Sequence, residues 1–96
     1  MIVHIALFRW KNGTPQNKIN KVIKNIRQLK NKCNGVIDIM AGKNFSRYSE
    51  GFTHAIVVIG KNRTALKTYR NHPEHLRIAK EIDKMEEHGV GIDFEY

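Results

Sequence analysis

Apolar side chains recur along this chain with two different periods. Val3-His4-Ile5-Ala6-Leu7-Phe8 is a short run of branched and aromatic residues stopped by Asn12-Gly13, which predicts a strand and a turn. Thr14-Pro15 then reads as an N-cap followed by proline in the first helical position. From there Ile19, Val22, Ile23, Ile26, Leu29 and Cys33 recur at helical spacing and cover an arc of about 120°. Asn34-Gly35 supplies the stop. Val36 to Lys43 and Phe52 to Ile59 predict a second and a third strand, separated by the polar loop from Asn44 to Gly51. Asn62-Arg63-Thr64 opens a short helix through Tyr69, and Pro73 starts another that runs to about Met85 and ends at His88-Gly89. Val90 to Tyr96 closes the chain as a strand with Val90, Ile92, Phe94 and Tyr96 on one face.

The order β-α-β-β-α-β predicts an α+β, ferredoxin-like protomer, with strands one and three central in an antiparallel sheet and the helices on one face. Both faces of the central strands are apolar. In strand one, Val3, Ile5 and Leu7 alternate with His4, Ala6, Phe8 and Trp10; in strand three, Ala55, Val57 and Ile59 alternate with Ile56 and Val58. A half-exposed antiparallel sheet should instead alternate apolar with polar. Helices on one side cannot cover both faces, so the helix-free face is expected to pair with a second copy of the chain, closing a dimeric barrel. His4 and His54 share the parity of Phe8, Trp10, Phe52, Ile56 and Val58. That set is expected on the helix-free face, lining the barrel cavity.

Charge adds a location rather than a function. The 96 residues, expected to form a single domain over 1–96, hold 17 Lys and Arg against nine Asp and Glu, a net +8. Ten of the basic residues and one acid lie between Met1 and Arg47. Lys18, Lys21, Lys24, Arg27, Lys30 and Lys32 belong to the first helix or its end, without an acid among them or aromatic interleaving. This reads as a solvated cationic face, and a nucleic-acid partner is not expected. The longest apolar run, Ala55 to Ile59, is far too short to span a bilayer, so no membrane partner is expected. Met1 to Trp10 is not expected to direct export. The single cysteine, Cys33, reads as a small core side chain in a reducing, cytoplasmic setting.

Chemistry concentrates elsewhere. His75 falls within the apolar arc of Ile78, Ala79, Ile82 and Met85, and Tyr69 lies on the arc of Ala65 and Leu66. Buried imidazoles and phenols need partners, and a cluster of them beside an apolar space is a candidate acid/base site. His72 reads as the cap of the helix that Pro73 begins. No metal site is expected from His72 and His75, which lack the i, i+4 spacing of a zinc helix. Trp10 is expected to anchor a barrel rim or an interface, and Asn44, Phe45 and Ser46 to shape a loop at the barrel mouth.

These residues carry a family resemblance. Val3-His4-Ile5, Gly42-Lys43-Asn44-Phe45-Ser46, Gly51-Phe52-Thr53-His54-Ala55, Tyr69-Arg70-Asn71-His72-Pro73-Glu74-His75 and the terminal Asp93-Phe94-Glu95, in that order, resemble the stress-responsive A/B barrel domain family of the dimeric α/β barrel superfamily. The resemblance implies a ferredoxin-like protomer and a homodimer. Through its olivetolic acid cyclase-like branch it also implies a cofactor-free, metal-free acid/base reaction on a polyketide-like or aromatic molecule. By the resemblance His75 and Tyr69 would be the catalytic pair, with His4 and His54 in the cavity; strand parity adds Phe8, Trp10, Phe52 and Ile56 around the ligand. Two other readings stay open at this point: a non-catalytic structural stress protein, and a barrel monooxygenase acting on an aromatic or haem substrate.

Overall fold

The computed structural model describes all of residues 1–96. Strand β1 (Ile2–Trp10) leads into helix α1 (Gln16–Gln28), which tightens into a 3-10 turn over Leu29–Asn31. Strands β2 (Val36–Lys43) and β3 (His54–Gly60) follow, then helices α2 (Arg63–Asn71) and α3 (Pro73–Met85), and finally strand β4 (Glu86–Glu95). The sheet order is β2-β3-β1-β4 with every neighbouring pair antiparallel, so β1 and β3 are central. This is the ferredoxin-like α+β topology. Ile19, Val22, Ile23 and Ile26 of α1 form the buried stripe that the helical spacing predicts. They join Ile39, Ile56 and Val58 of the sheet, Tyr69 of α2 and Ile78, Ile82 and Met85 of α3 in one core.

The faces of the sheet are the reverse of the sequence-based expectation. Ile2, Phe8, Ile56 and Val58 belong to the core under the helices, so the set that carries His4 and His54 is the helix-covered one. The helix-free face carries the odd positions of β1 and β3 and their partners on the edge strands, in cross-strand rows: Ile92, Ile5, Val57 and Met40 in one, Phe94, Val3 and Ile59 in a second. Residues directly opposite on antiparallel strands share a face. His4 pairs with Val58 and Asp93, while Phe8 pairs with His54 and Gly89.

Three local expectations also change. Thr14 is not the cap of α1: its hydroxyl donates to the Lys11 carbonyl at 2.7 Å and closes the turn after β1. Pro15 takes the cap position, and its carbonyl accepts from the Lys18 and Ile19 amides. His88-Gly89 does not end α3 but lies inside β4, because β1 extends to Trp10 and pairs with residues back to Glu86. Phe52 precedes β3 rather than opening it. Gly35 does stop the first helical segment, at φ +81°, and a Cβ there would stand 2.7 Å from the Ala65 Cβ. The close passage of the β2 entry over α2 therefore requires glycine.

Candidate functional site

The break between α2 and α3 builds the centre of the site. Pro73 has no amide to continue α2, and the His72 Nδ1 accepts the Glu74 amide at 3.1 Å, so α3 begins in a new direction with its first turn capped. Tyr69 in the last turn of α2 and His75 in the first turn of α3 meet across that corner. Their ring centroids are 4.5 Å apart at 52°. His4 enters from β1, its ring 6.3 Å from that of Tyr69.

These three rings line a cavity of about 160 Å³ between the sheet and the helices, together with Ala6, Phe8, Ile26, Ile56, Ala79, Ile82, Asp83 and Glu86. Ala6 and Ala79 are the short side chains that leave the space open. The structure thus brings together His4, Phe8, Ile56, Tyr69 and His75 of the expected set, inside one protomer rather than in a barrel between two. His54, Trp10 and Phe52 lie outside it. Trp10 stacks on Phe8 (5.2 Å, 11°) and donates its indole N–H to His54 Nδ1 at 3.0 Å, so it anchors the helix-covered core and not a rim. Phe52 lies under the Arg9 guanidinium, 5.2 Å from its ring, and beside His88.

Hydrogen bonds assign the chemistry of each ring. His75 Nδ1 is 3.0 Å from the Arg70 carbonyl, which can only accept, so Nδ1 carries the proton and Nε2 holds the lone pair. Burial, reinforced by the charges of His4, Arg70 and His72, pulls the His75 pKa down against that carbonyl bond, which keeps the ring neutral at physiological pH. Tyr69 is 1% exposed, its hydroxyl meets no protein partner, and burial holds the phenol far above its ordinary range, so it is a proton donor only. His4 Nδ1 and Arg70 Nη2 each approach a different oxygen of Asp93 at 2.5 Å. Burial works to raise the Asp93 carboxyl, but those two bonds outweigh it and hold it below its ordinary value. His54, 6% exposed, accepts from Trp10 at Nδ1, and burial followed by Lys43 lowers its pKa. No three His, Cys, Asp or Glu side chains converge as a metal site.

A pH dependence follows. His54 and His75 titrate below the usual 6.5 in the folded protein, so only the unfolded chain takes up their protons as the pH first falls through 6.5. Stability should fall as pH drops from 7.5 to 5.5, because the unfolded state binds more protons there. Glu86, whose carboxyl burial pushes up, acts in the opposite sense, so the histidine part is isolated by comparison. Urea unfolding at the two pH values should show a smaller drop in His75→Gln than in the unaltered protein. Equal drops would remove His75 from the account.

Sequence reasoning missed the carboxylates. Asp93 and Glu95 share the polar side of the alternating Val90, Ile92, Phe94 strand, and only the antiparallel register singles out Asp93 by placing it opposite His4. Asp83 and Glu86 gave no signal, since their approach depends on how α3 turns directly into β4. Of the basic segment around α1, Arg27 donates to the Ala41 carbonyl, Lys30 pairs with Asp38 and Lys32 with Glu74. None of the six lines the cavity. No helix is long and apolar enough to cross a membrane.

Comparison with known proteins places this geometry. The family model described as the stress responsive A/B barrel domain matches residues 2–96. A stress-response A/B barrel domain-containing protein, DABB1 of Arabidopsis thaliana, is 24% identical, and the match covers 98% of this chain but only 46% of that relative, so the chain spans about half its length. A dimeric ferredoxin-like protein of unknown function from Thermobifida fusca superposes with a TM-score of 0.88 at 23% identity, covering 99% of this chain and 90% of that one. A hydroxynitrile lyase from Passiflora edulis superposes at 0.86 and 23% identity, covering 97% and 90%. Further dimeric ferredoxin-like proteins, from Bacteroides fragilis and a Jannaschia species, share the fold. With the family model matched over nearly its whole length, the chain belongs to the stress-responsive A/B barrel domain family.

Proposed function

We propose that the chain works as a cytosolic homodimer, joined through the helix-free sheet face, in which each protomer binds a small molecule beside His75 and Tyr69 and moves a proton on it without a cofactor. The observation that carries this reading is the ring contact, 4.5 Å between centroids, of Tyr69 with a neutral imidazole whose Nδ1 is held by the Arg70 carbonyl and whose Nε2 keeps the lone pair, both rings lining one small cavity. A phenol O–H without a hydrogen-bond partner in the protein is available to a ligand oxygen in that cavity. In the reaction, His75 Nε2 takes a proton from the carbon next to a carbonyl. The C–H electron pair moves toward the carbonyl, and Tyr69 donates a hydrogen bond to the oxygen where charge collects. Return of the proton, or bond formation from the enolate, regenerates neutral His75. That one neighbour of the same fold is a hydroxynitrile lyase is in keeping with an enzyme on this fold.

Size narrows the ligand. A cavity near 150 Å³ accommodates a benzene-sized molecule, and the present one is about 160 Å³. A single ring or a short acyl chain fits, whereas an extended tetraketide exceeds it. The dimer draws support from the apolar rows of the helix-free face, from Met40 and Phe94 left about half exposed, and from the dimeric relatives. Acetophenone is a suitable probe: it should shift the NMR signals of the Tyr69 and His75 rings, with a loss of the His75 response in Tyr69→Phe. Unmoved signals at millimolar acetophenone would leave a purely structural role.

A further inference from the structure

On a chain of net charge +8, four other depressions of the surface each hold a Lys or Arg: Arg63 in one, Lys18 and Arg77 in a second, Lys43 in a third, Lys67 in a fourth. The His75 cavity holds none. Its ionisable wall consists of His4, Tyr69, His75, Asp83 and Glu86. His4 is paired with Asp93, and so is the Arg70 guanidinium, whose charge reaches His75 from behind. His75 and Tyr69 are neutral. What remains is two carboxylates, Asp83 in the last turn of α3 and Glu86 at its junction with β4.

We infer that Asp83 and Glu86 make this cavity a filter that admits uncharged and cationic small molecules and rejects carboxylates. The inference rests on the reading of the cavity as a ligand site. A carboxylate that enters gives up its water without gaining a countercharge, and it faces two charges of its own sign. The same repulsion already acts within the wall, where burial and then Asp83 push the Glu86 carboxyl above its ordinary range, against a smaller opposing effect of His88. The long-range field of the basic chain draws anions toward the surface, so the selection is local to the cavity wall. For proton abstraction at His75 it selects simple ketones and aldehydes over keto acids.

Three probes of one scaffold separate the possibilities: benzyl alcohol, benzylamine as its ammonium, and benzoate, titrated into the intact protein near pH 7 while the Tyr69 and His75 signals are followed. Benzyl alcohol and benzylamine should move those signals, with benzoate binding there at least tenfold more weakly. In the Asp83→Asn, Glu86→Gln double variant the ratio of benzyl alcohol to benzoate affinity should fall at least tenfold; each single variant should lower it by less and stands in where the double variant does not fold. Benzoate matching benzyl alcohol in the unaltered protein, or a ratio unchanged by the substitutions, would overturn the filter alone. Silence from all three probes would overturn the filter together with the ligand-site reading beneath it.

Discussion

Val57→Asp should convert the protein from a dimer to a monomer. Val57 sits in the row Ile92, Ile5, Val57, Met40, on the sheet face that no helix of its own chain covers. Ile92 and Met40 at the ends of that row are 46% and 48% exposed, and Phe94 in the next row is 47% exposed, a density of uncovered apolar side chains that single chains seldom leave to water. In a two-fold interface each substitution appears twice, so two carboxylates would be buried together without partners. The penalty is roughly 3 kcal/mol or more per copy. Sedimentation should show two copies of 11.1 kDa for the unaltered protein and one for Val57→Asp, with Lys24→Asp, on the outer side of α1, remaining a dimer. A dimeric Val57→Asp would place the interface elsewhere on the molecule. Phe45, fully exposed at the edge of the same face beside Met40, Ala55 and Val57, is the next residue to test.

That interface and the cavity show how far residue patterns reach. Alternation along β1 and β3 separates two sets correctly, His4 with Phe8 and Ile56, and Ile5 with Val57. It cannot say which set lies beneath the helices. The absolute assignment depends on the hand of the crossover from β1 through α1 to β2, a property of backbone twist rather than of side-chain order. Both sets being apolar removed the usual cue, in which the polar set marks the solvent face. The corner at His72-Pro73 was legible because proline and a capping side chain act within a few residues of chain. Hence Tyr69 and His75 could be paired in advance. Asp83, Glu86 and Asp93 could not be placed with them, since their positions follow from the join of α3 to β4 and from the β1–β4 register. The set of charges on the cavity wall was therefore hidden even though every residue in it was in view. The net +8 says nothing of the cavity, because most of its excess lies on and around α1, outside the cavity wall.

His75→Ala should abolish exchange of the α-protons of acetophenone in deuterated water, a reaction that reports proton abstraction without requiring the natural substrate. Each turn of the exchange breaks one C–H bond, places the proton on Nε2 and the electron pair on the carbonyl oxygen, and ends when a deuteron returns to carbon. A positioned general base contributes about 10²–10⁴-fold, and removing His75 should cost that factor. Tyr69→Phe keeps the ring against His75 but removes the hydroxyl assigned to the enolate oxygen, a loss of roughly 10²-fold or more. The two losses should not multiply, because without the base there is little charge for Tyr69 to stabilise. Asp93→Asn tests the third element: it weakens the hold on both His4 and the Arg70 guanidinium, while the bond of His75 to the Arg70 carbonyl is made by the α2 backbone and does not involve Asp93. Its exchange rate should lie between that of the unaltered protein and that of Tyr69→Phe. Exchange in the unaltered protein no faster than in His75→Ala would remove catalysis from the account while leaving the cavity free to bind. A rate lost in His75→Ala but untouched in Tyr69→Phe would assign the enolate oxygen to another donor, with His4, 6.3 Å from the Tyr69 ring and on the same wall, the next side chain in line.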